Sequence, residues 1–358
     1  MKKEIKKIKL FTFIFLIFTI TTIAFSNNFC ILKAEENNIN LVKYTGKIET
    51  LAFTTLMSFP EKALHENNSY SNIYDESKLT VNEFENILEE LYQNNYVLID
   101  IYDIVDKEQI YKKEIYLPQG KKPLLLTFDN VTYKSNYQNL GQIDKIIIDR
   151  NNNLASYTTK KSIQDRIQYN NEFQLILENF IKKHKDFAIN GAKGIIFLTG
   201  ENGILGYNTN HKNASSKYEK KRVSEVIRKL KNLGWRFGSN NYTYKDETIK
   251  SDLEFAKELS LWNNEVKDII GESNLYAFPY GNYNENCNQK LELLMANNFK
   301  IFFVNSDKSS INFYSGICFV NRKEVNGKSL RETPEQFENL FDANKVYDHT
   351  NRTIKYKN

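Results

Sequence analysis

The stretch Lys122-Pro-Leu-Leu-Leu-Thr-Phe-Asp-Asn130 decides the fold class. Leu124 to Phe128 is apolar except for Thr127 and shows no alternation, the pattern of a strand covered on both faces in a parallel sheet. Upstream, Thr80 and Glu83 fit a capping box, and Phe84, Ile87, Leu88 and Leu91 mark one helical face. Val97 to Ile101 then reads as a strand.

Downstream the alternation repeats. Phe173, Ile176, Leu177, Phe180 and Ile181 form a helix face before a strand at Gly194 to Leu198. Val223, Val226, Ile227 and Leu230 form another, closed by Gly234, before a short strand from Trp235 to Gly238. A long helix is expected from near Asp246, carrying Ile249, Leu253, Leu259 and Trp262, with Leu275 to Phe278 as the next strand. Cys287 to Asn297 reads as helix and Lys300 to Val304 as strand. Trp235 and Trp262 read as core residues. Repeated strand–helix units predict an α/β domain with a mostly parallel sheet, open or closed into a barrel. Functional groups in such folds sit at the C-terminal strand ends.

Three segments break the alternation. Asn136 to Tyr169 is polar and reads as a small β excursion. Gly200 to Lys217 reads as a long loop, and the tail after Thr333 as a polar surface wrap. None reads as a separate domain.

Residues 1–34 have the pattern of a targeting segment: Lys2, Lys3, Lys6, Lys7 and Lys9, then an apolar run from Leu10 to Phe25. They read as a cleaved secretory signal or a retained anchor that would associate with a membrane through residues 10–25. The remaining 35–358 are expected to form one domain outside the membrane, at the cell wall or in the extracellular space. Those five lysines with Glu4, together with Lys33, account for the formal charge of +5, so a chain from Glu35 is close to neutral. That removes the electrostatic case for nucleic-acid binding. Cys287 and Cys318 are the cysteines of the domain; in an oxidising compartment they could pair, or equally remain two buried thiols.

Three strand ends converge on one rim if the sheet closes: Thr127-Phe-Asp-Asn130, Ser239-Asn-Asn-Tyr-Thr-Tyr244 and Phe278-Pro-Tyr-Gly281. In order and spacing they resemble the motifs of the polysaccharide deacetylase (NodB-homology) family, which typically reads Thr/Ser-Phe-Asp-Asp, Ser-His-Thr/Ser-x-x-His and Pro-Tyr-Gly. The resemblance extends from about Phe53 to Asp348. It includes Leu117-Pro-Gln-Gly-Lys-Lys-Pro123, Gly191-Ala-Lys-Gly194, Thr199-Gly-Glu-Asn-Gly-Ile-Leu-Gly-Tyr207 and Leu340-Phe-Asp-Ala-Asn-Lys-Val-Tyr-Asp348, in the manner of a clostridial-type subgroup.

The resemblance implies a single-domain, NodB-like distorted (β/α) barrel. It also implies a divalent metal such as zinc, held by one Asp and two His, that activates water against an N-acetyl group of a glycan. Carried over by position, Asp129 matches the catalytic base. Asn130 stands where the Asp ligand belongs, and Asn240 and Tyr244 where the two His ligands belong. Tyr280 matches the tyrosine whose backbone N–H holds the oxyanion. Ala277 stands where many members place an Arg that braces the base, and Thr54 where relatives have a His. Asn326 and Gly327 lie near the position of the late catalytic His, for which His349 is a poor substitute.

Neutral amides and a neutral phenol are poor substitutes for carboxylate and imidazole. No metal site is therefore expected. The groove is expected to bind an N-acetylated or cell-wall glycan, or a wall-associated partner, through Asn130, Asn240, Tyr244 and Tyr280, with Asn241 and Tyr242 adding to a polar, aromatic shelf. Two alternatives stay open. One is an active deacetylase with other ligands, drawn from Asp129, Asp144, Asp246 and His211. The other is glycoside hydrolysis, which needs a second carboxylate near Asp129. His65, His184 and His211 read as surface histidines, and the Lys217 to Lys231 charge run as a solvated helix face.

Overall fold

The computed structural model describes residues 40–65, 67–133, 140–159, 162–210 and 214–352. The expected targeting segment, its apolar run and His211 lie outside these residues. No helix among the described residues is long and apolar enough to cross a membrane. The chain divides into Met1–Val42 and Lys43–Asn358, and the whole sheet that carries the site lies in the second unit.

Seven parallel strands close into a barrel: β1 Glu49–Phe53, β2 Lys122–Phe128, β3 Gly194–Leu198, β4 Arg236–Ser239, β5 Leu275–Ala277, β6 Ile301–Asn305 and β7 Ile317–Glu324. Each pairs with the next in sequence, and β7 returns to β1 through Lys323 opposite Leu51 and Glu324 opposite Ala52. Tyr96–Leu98 adds a parallel strand beside the start of β2, and Ser310–Tyr314 runs antiparallel along β7. The sheet is thus a closed parallel (β/α) barrel, the closed form of the architecture expected from the sequence.

Alternation along the strands sorts two cores. Leu125, Ile195, Phe197, Leu275, Ala277, Ile301, Phe303, Cys318 and Val320 fill the interior with Val97, Ile99 and Ile104. Leu126, Phe128, Ile196, Tyr276 and Phe302 face outward to the helices. These are α1 Val81–Gln93, α2 Phe173–Lys183, α3 Ala214–Asn232, α4 Asp252–Trp262, α5 Asn288–Ala296 and α6 Gly327–Glu332.

The capping box at α1 forms as expected: Thr80 Oγ1 accepts from the Glu83 amide at 3.1 Å, and Glu83 accepts from the Thr80 amide at 2.8 Å. Phe84, Ile87, Leu88 and Leu91 are all fully buried, as are Trp235 and Trp262. The polar excursion folds as an antiparallel sheet of Lys145–Ile148, Leu154–Tyr157 and Ile167–Gln168.

Two expectations are corrected. The helix placed near Asp246 begins later: Glu247–Ile249 is a single 3-10 turn, and Ser251 caps α4. Ile249 and Leu253 are therefore solvent-exposed, and Phe255, Leu259 and Trp262 make the buried face. The tail after Thr333 is part of the core. Phe337, Leu340, Phe341 and Val346 are buried, and Arg352 is buried with its guanidinium on Glu83 and Asp75 at 2.6–2.8 Å. A polar tail sequence hid one apolar residue every few positions, and Arg352 is tolerated inside because two carboxylates neutralise it.

Candidate functional site

The C-terminal ends of the seven strands form the mouth of the barrel, and Asp129, one residue past β2, continues the inward face of Leu125 and Thr127. It is buried, and both carboxylate oxygens are taken by one guanidinium: Arg322 Nη1 donates to Oδ1 at 2.7 Å and Nη2 to Oδ2 at 2.9 Å. Nη1 also donates to Thr127 Oγ1 at 3.0 Å and Nη2 to Asn305 Oδ1 at 3.1 Å. Arg322 itself is fully buried over the rings of Phe197 and Phe303. It comes from the inward face of β7, after Cys318 and Val320. Ala277 shares that interior.

Asn240 lies at the end of β4 with no exposed surface. Its Oδ1 accepts from the Asn130 backbone amide at 2.8 Å, and its Nδ2 donates to the Ala277 carbonyl at 2.9 Å. It ties β2 to β5 across the mouth, a task that needs an acceptor and a two-proton donor on one short side chain. Asn241 is equally buried, with Nδ2 on Glu247 at 2.6 Å, and Tyr242 is buried with its hydroxyl on Glu265 at 2.6 Å. The expected open shelf of Asn240, Asn241 and Tyr242 is thus corrected to structural bracing: the polar atoms point into the protein, where strand ends need partners. Asn130 is half-buried, and its Oδ1 is enclosed without a hydrogen bond.

Tyr244 and Tyr280 meet at the opening, with ring centroids 4.8 Å apart and planes at 48°. Tyr244 is half-buried and Tyr280 is 56% exposed. Burial and the nearby Asp129 and Glu324 carboxylates push the Tyr244 phenol well above its ordinary range, while the Tyr280 backbone amide and Arg322 act the other way. The hydroxyl is therefore neutral. Asn130, Tyr133, Asn241, Tyr244 and Tyr280 all have left-handed φ, between 53° and 59°. For non-glycine residues this costs roughly 1–2 kcal/mol each, and such strain gathers at functional sites. Gly281 closes the turn with φ 67°, and a Cβ there would lie 2.2 Å from the Asn305 side chain.

Sequence reading missed three groups. Arg322 is one; Glu324 and Asn305 are the others. Glu324 ends the inward row of β7 and is exposed. Asn305 Nδ2 reaches Glu324 Oε2 at 3.2 Å and the Tyr280 carbonyl at 3.4 Å. Partial burial raises the Glu324 carboxyl, and Asp129 adds to this; Asn326, Arg322 and Asn305 oppose it. The side chain still reaches solvent. The signal was legible: charged residues at alternate positions continuing an apolar row point into the barrel.

The residues present do not fit the metal that the sequence resemblance implies. Asp129 is chelated by Arg322, Asn240 has both ends of its amide engaged, and Tyr244 is a neutral phenol. No group of three His, Cys, Asp or Glu side chains able to hold a metal occurs among the described residues. The alternative set does not assemble within them either. Asp144 is buried and accepts from Thr159, and Asp246 is held by Thr248 and Asn282. His65 and His349 are exposed; His184 is packed between Tyr92 and Phe180 rather than on open surface. None is placed at the mouth. Thr54 is turned to the Ser77 carbonyl at 3.1 Å, and Asn326 caps α6.

Residues 186–298, which contain the Asn240–Tyr244 and Pro279–Gly281 segments, match the family model for polysaccharide deacetylase. The match spans 113 of the chain's 358 residues, and the likeness to polysaccharide deacetylases is carried by that segment. Among solved structures, the chain is similar to the Streptococcus pyogenes deacetylase PplD, solved with acetate, at 13% identity and TM-score 0.46 over 83% of this chain and 99% of that one. It is similar to IcaB from Ammonifex degensii at 14% identity and TM-score 0.42, over 80% and 94%. It is also similar to BA3943, a CE4 family pseudoenzyme from Bacillus anthracis, at 13% identity and TM-score 0.26, over 46% and 54%. No curated protein matches the sequence significantly.

Proposed function

We propose that this polysaccharide deacetylase homologue is exported and binds a cell-wall glycan, or a wall-associated partner, without the metal-dependent hydrolysis of the family. The observation that carries the reading is the Asp129–Arg322 pair: the carboxylate in the base position has both oxygens engaged by a buried guanidinium. The three positions beside it offer an amide, an amide and a neutral phenol. What remains accessible, Tyr280 and the half-buried Tyr244, suits a sugar face, because aromatic rings present apolar area to pyranose C–H groups.

The test is direct. The purified protein is assayed for bound zinc, cobalt and nickel, for acetate release from chitooligosaccharide and peptidoglycan, and for retention on insoluble wall polymers. Retention without metal and without acetate release is expected. Metal at unit stoichiometry, with acetate release that Asp129→Asn abolishes, overturns the reading in favour of an active N-deacetylase using other ligands. Failure to bind every wall polymer redirects it to a protein partner.

A further inference from the structure

If the mouth of the barrel holds a glycan, its charge balance selects which kind. Asp129 and Arg322 cancel one another at 2.7 and 2.9 Å. The other polar side chains at the mouth, Asn130, Asn305, Tyr244 and Tyr280, are neutral. Glu324 is different. It is exposed, accepts a hydrogen bond from Asn305 at 3.2 Å, and forms no ion pair with a Lys or Arg among the described residues. The mouth therefore carries one uncompensated carboxylate.

That carboxylate stands beside an aromatic platform. The Asn305 amide links Glu324 to the Tyr280 backbone, with Nδ2 3.2 Å from Glu324 Oε2 and 3.4 Å from the Tyr280 carbonyl. Tyr280 is held proud of the surface by its left-handed backbone, φ 58° and ψ 9°, and its ring is supported from beneath by Tyr244 at 4.8 Å. A carboxylate next to an exposed tyrosine face complements a cation carried on a ring with an apolar face. A neutral acetamide in the same place would strip water from Glu324 and return no charge, which disfavours it.

We infer that the ligand is a glycan containing free amino sugar, a hexosamine whose ammonium is taken by Glu324 while its ring lies on Tyr280. This rests on the glycan-binding reading and deepens it: the mouth recognises the deacetylated polymer rather than the N-acetylated one.

The experiment compares glucosamine and N-acetylglucosamine oligomers of equal length, titrated into the full-length protein by calorimetry at several pH values from mildly acid to neutral, across which the amine oligomer carries ammonium groups while Glu324 gains its charge. The amine oligomer is expected to bind at least about tenfold more tightly, the worth of one charge-assisted contact. Glu324→Gln should abolish that preference, and Tyr280→Ala should weaken both ligands. Glu332→Gln, a change at an exposed carboxylate paired with Lys328 on α6, should do neither. Thermal melts of each variant establish that it is folded. Equal or tighter binding of the N-acetyl oligomer, or a preference that survives Glu324→Gln, overturns the amino-sugar assignment and leaves glycan binding standing. Binding of neither oligomer overturns both.

Discussion

Arg322 on β7 grips Asp129 at the end of β2 with two parallel hydrogen bonds, from two strands away around the barrel and with both side chains buried. The sequence resemblance places such a brace at the Ala277 position on β5; here it comes from β7. Removing one partner leaves a buried charge alone. Arg322→Met is predicted to cost about 3–5 kcal/mol, and adding Asp129→Leu to it should recover a large part of that loss. Urea denaturation of the two single variants and the double variant measures the coupling; additive losses would show that the pair is not the unit described.

Asn240 is predicted to matter for stability rather than for ligand contact. Asn240→Ala leaves the Asn130 amide and the Ala277 carbonyl buried without partners, at about 1–3 kcal/mol. Chemical denaturation should show that loss with glycan affinity unchanged per folded molecule. An unaltered midpoint would contradict the cross-strand role.

The C-terminal segment should behave as a keystone. Arg352→Ala strands Asp75 and Glu83 inside the protein and is predicted to cost about 3–5 kcal/mol. Arg331, half-buried and 3.2 Å from Asp75, offsets only part of it. A melting temperature within a degree of the parent would rule this out.

Glu172 supplies a pH dependence. Burial pushes its carboxyl up to about 7, against the pull of the Leu56 and Phe173 amides, Lys78 and Ser58. Tyr133, which also faces it, stays neutral because burial drives its phenol well above the ordinary range. The folded pKa of Glu172 is above the unfolded carboxyl value of about 4.3. The stability it contributes is therefore present below that value and is lost as pH rises through about 7. Stability is predicted to fall across this interval, and Glu172→Gln to flatten the fall. Parallel melting-temperature profiles for parent and variant would refute it.

Cys287 and Cys318 are separate buried thiols, not a disulfide. Burial raises both, Cys318 to about 12, so neither is a ready thiolate. A thiol reagent should label both in denaturant and neither in the native state; fast native labelling would contradict the packing.

Much of this protein was set by sequence alone. Unbroken apolar runs such as Leu124–Leu126, separated by helix faces such as Phe84, Ile87, Leu88 and Leu91, are local patterns that only a parallel sheet with flanking helices satisfies. The order of the three strand-end motifs placed Asp129, Asn240, Tyr244 and Tyr280 at one rim for the same reason, since parallel strands bring their C-terminal ends to one side. What a strand-end residue does there was decided by tertiary structure. Arg322 lies 193 residues from Asp129, and Asn240 reaches Ala277 across a neighbouring strand end. Hydrogen bonds over such separations depend on barrel closure and on which side chains leave room, neither of which is written in any local pattern. Closure also turned the expected amide shelf inward, brought Arg352 beneath α1, and left Glu324 beside Tyr280 as the mouth's open charge.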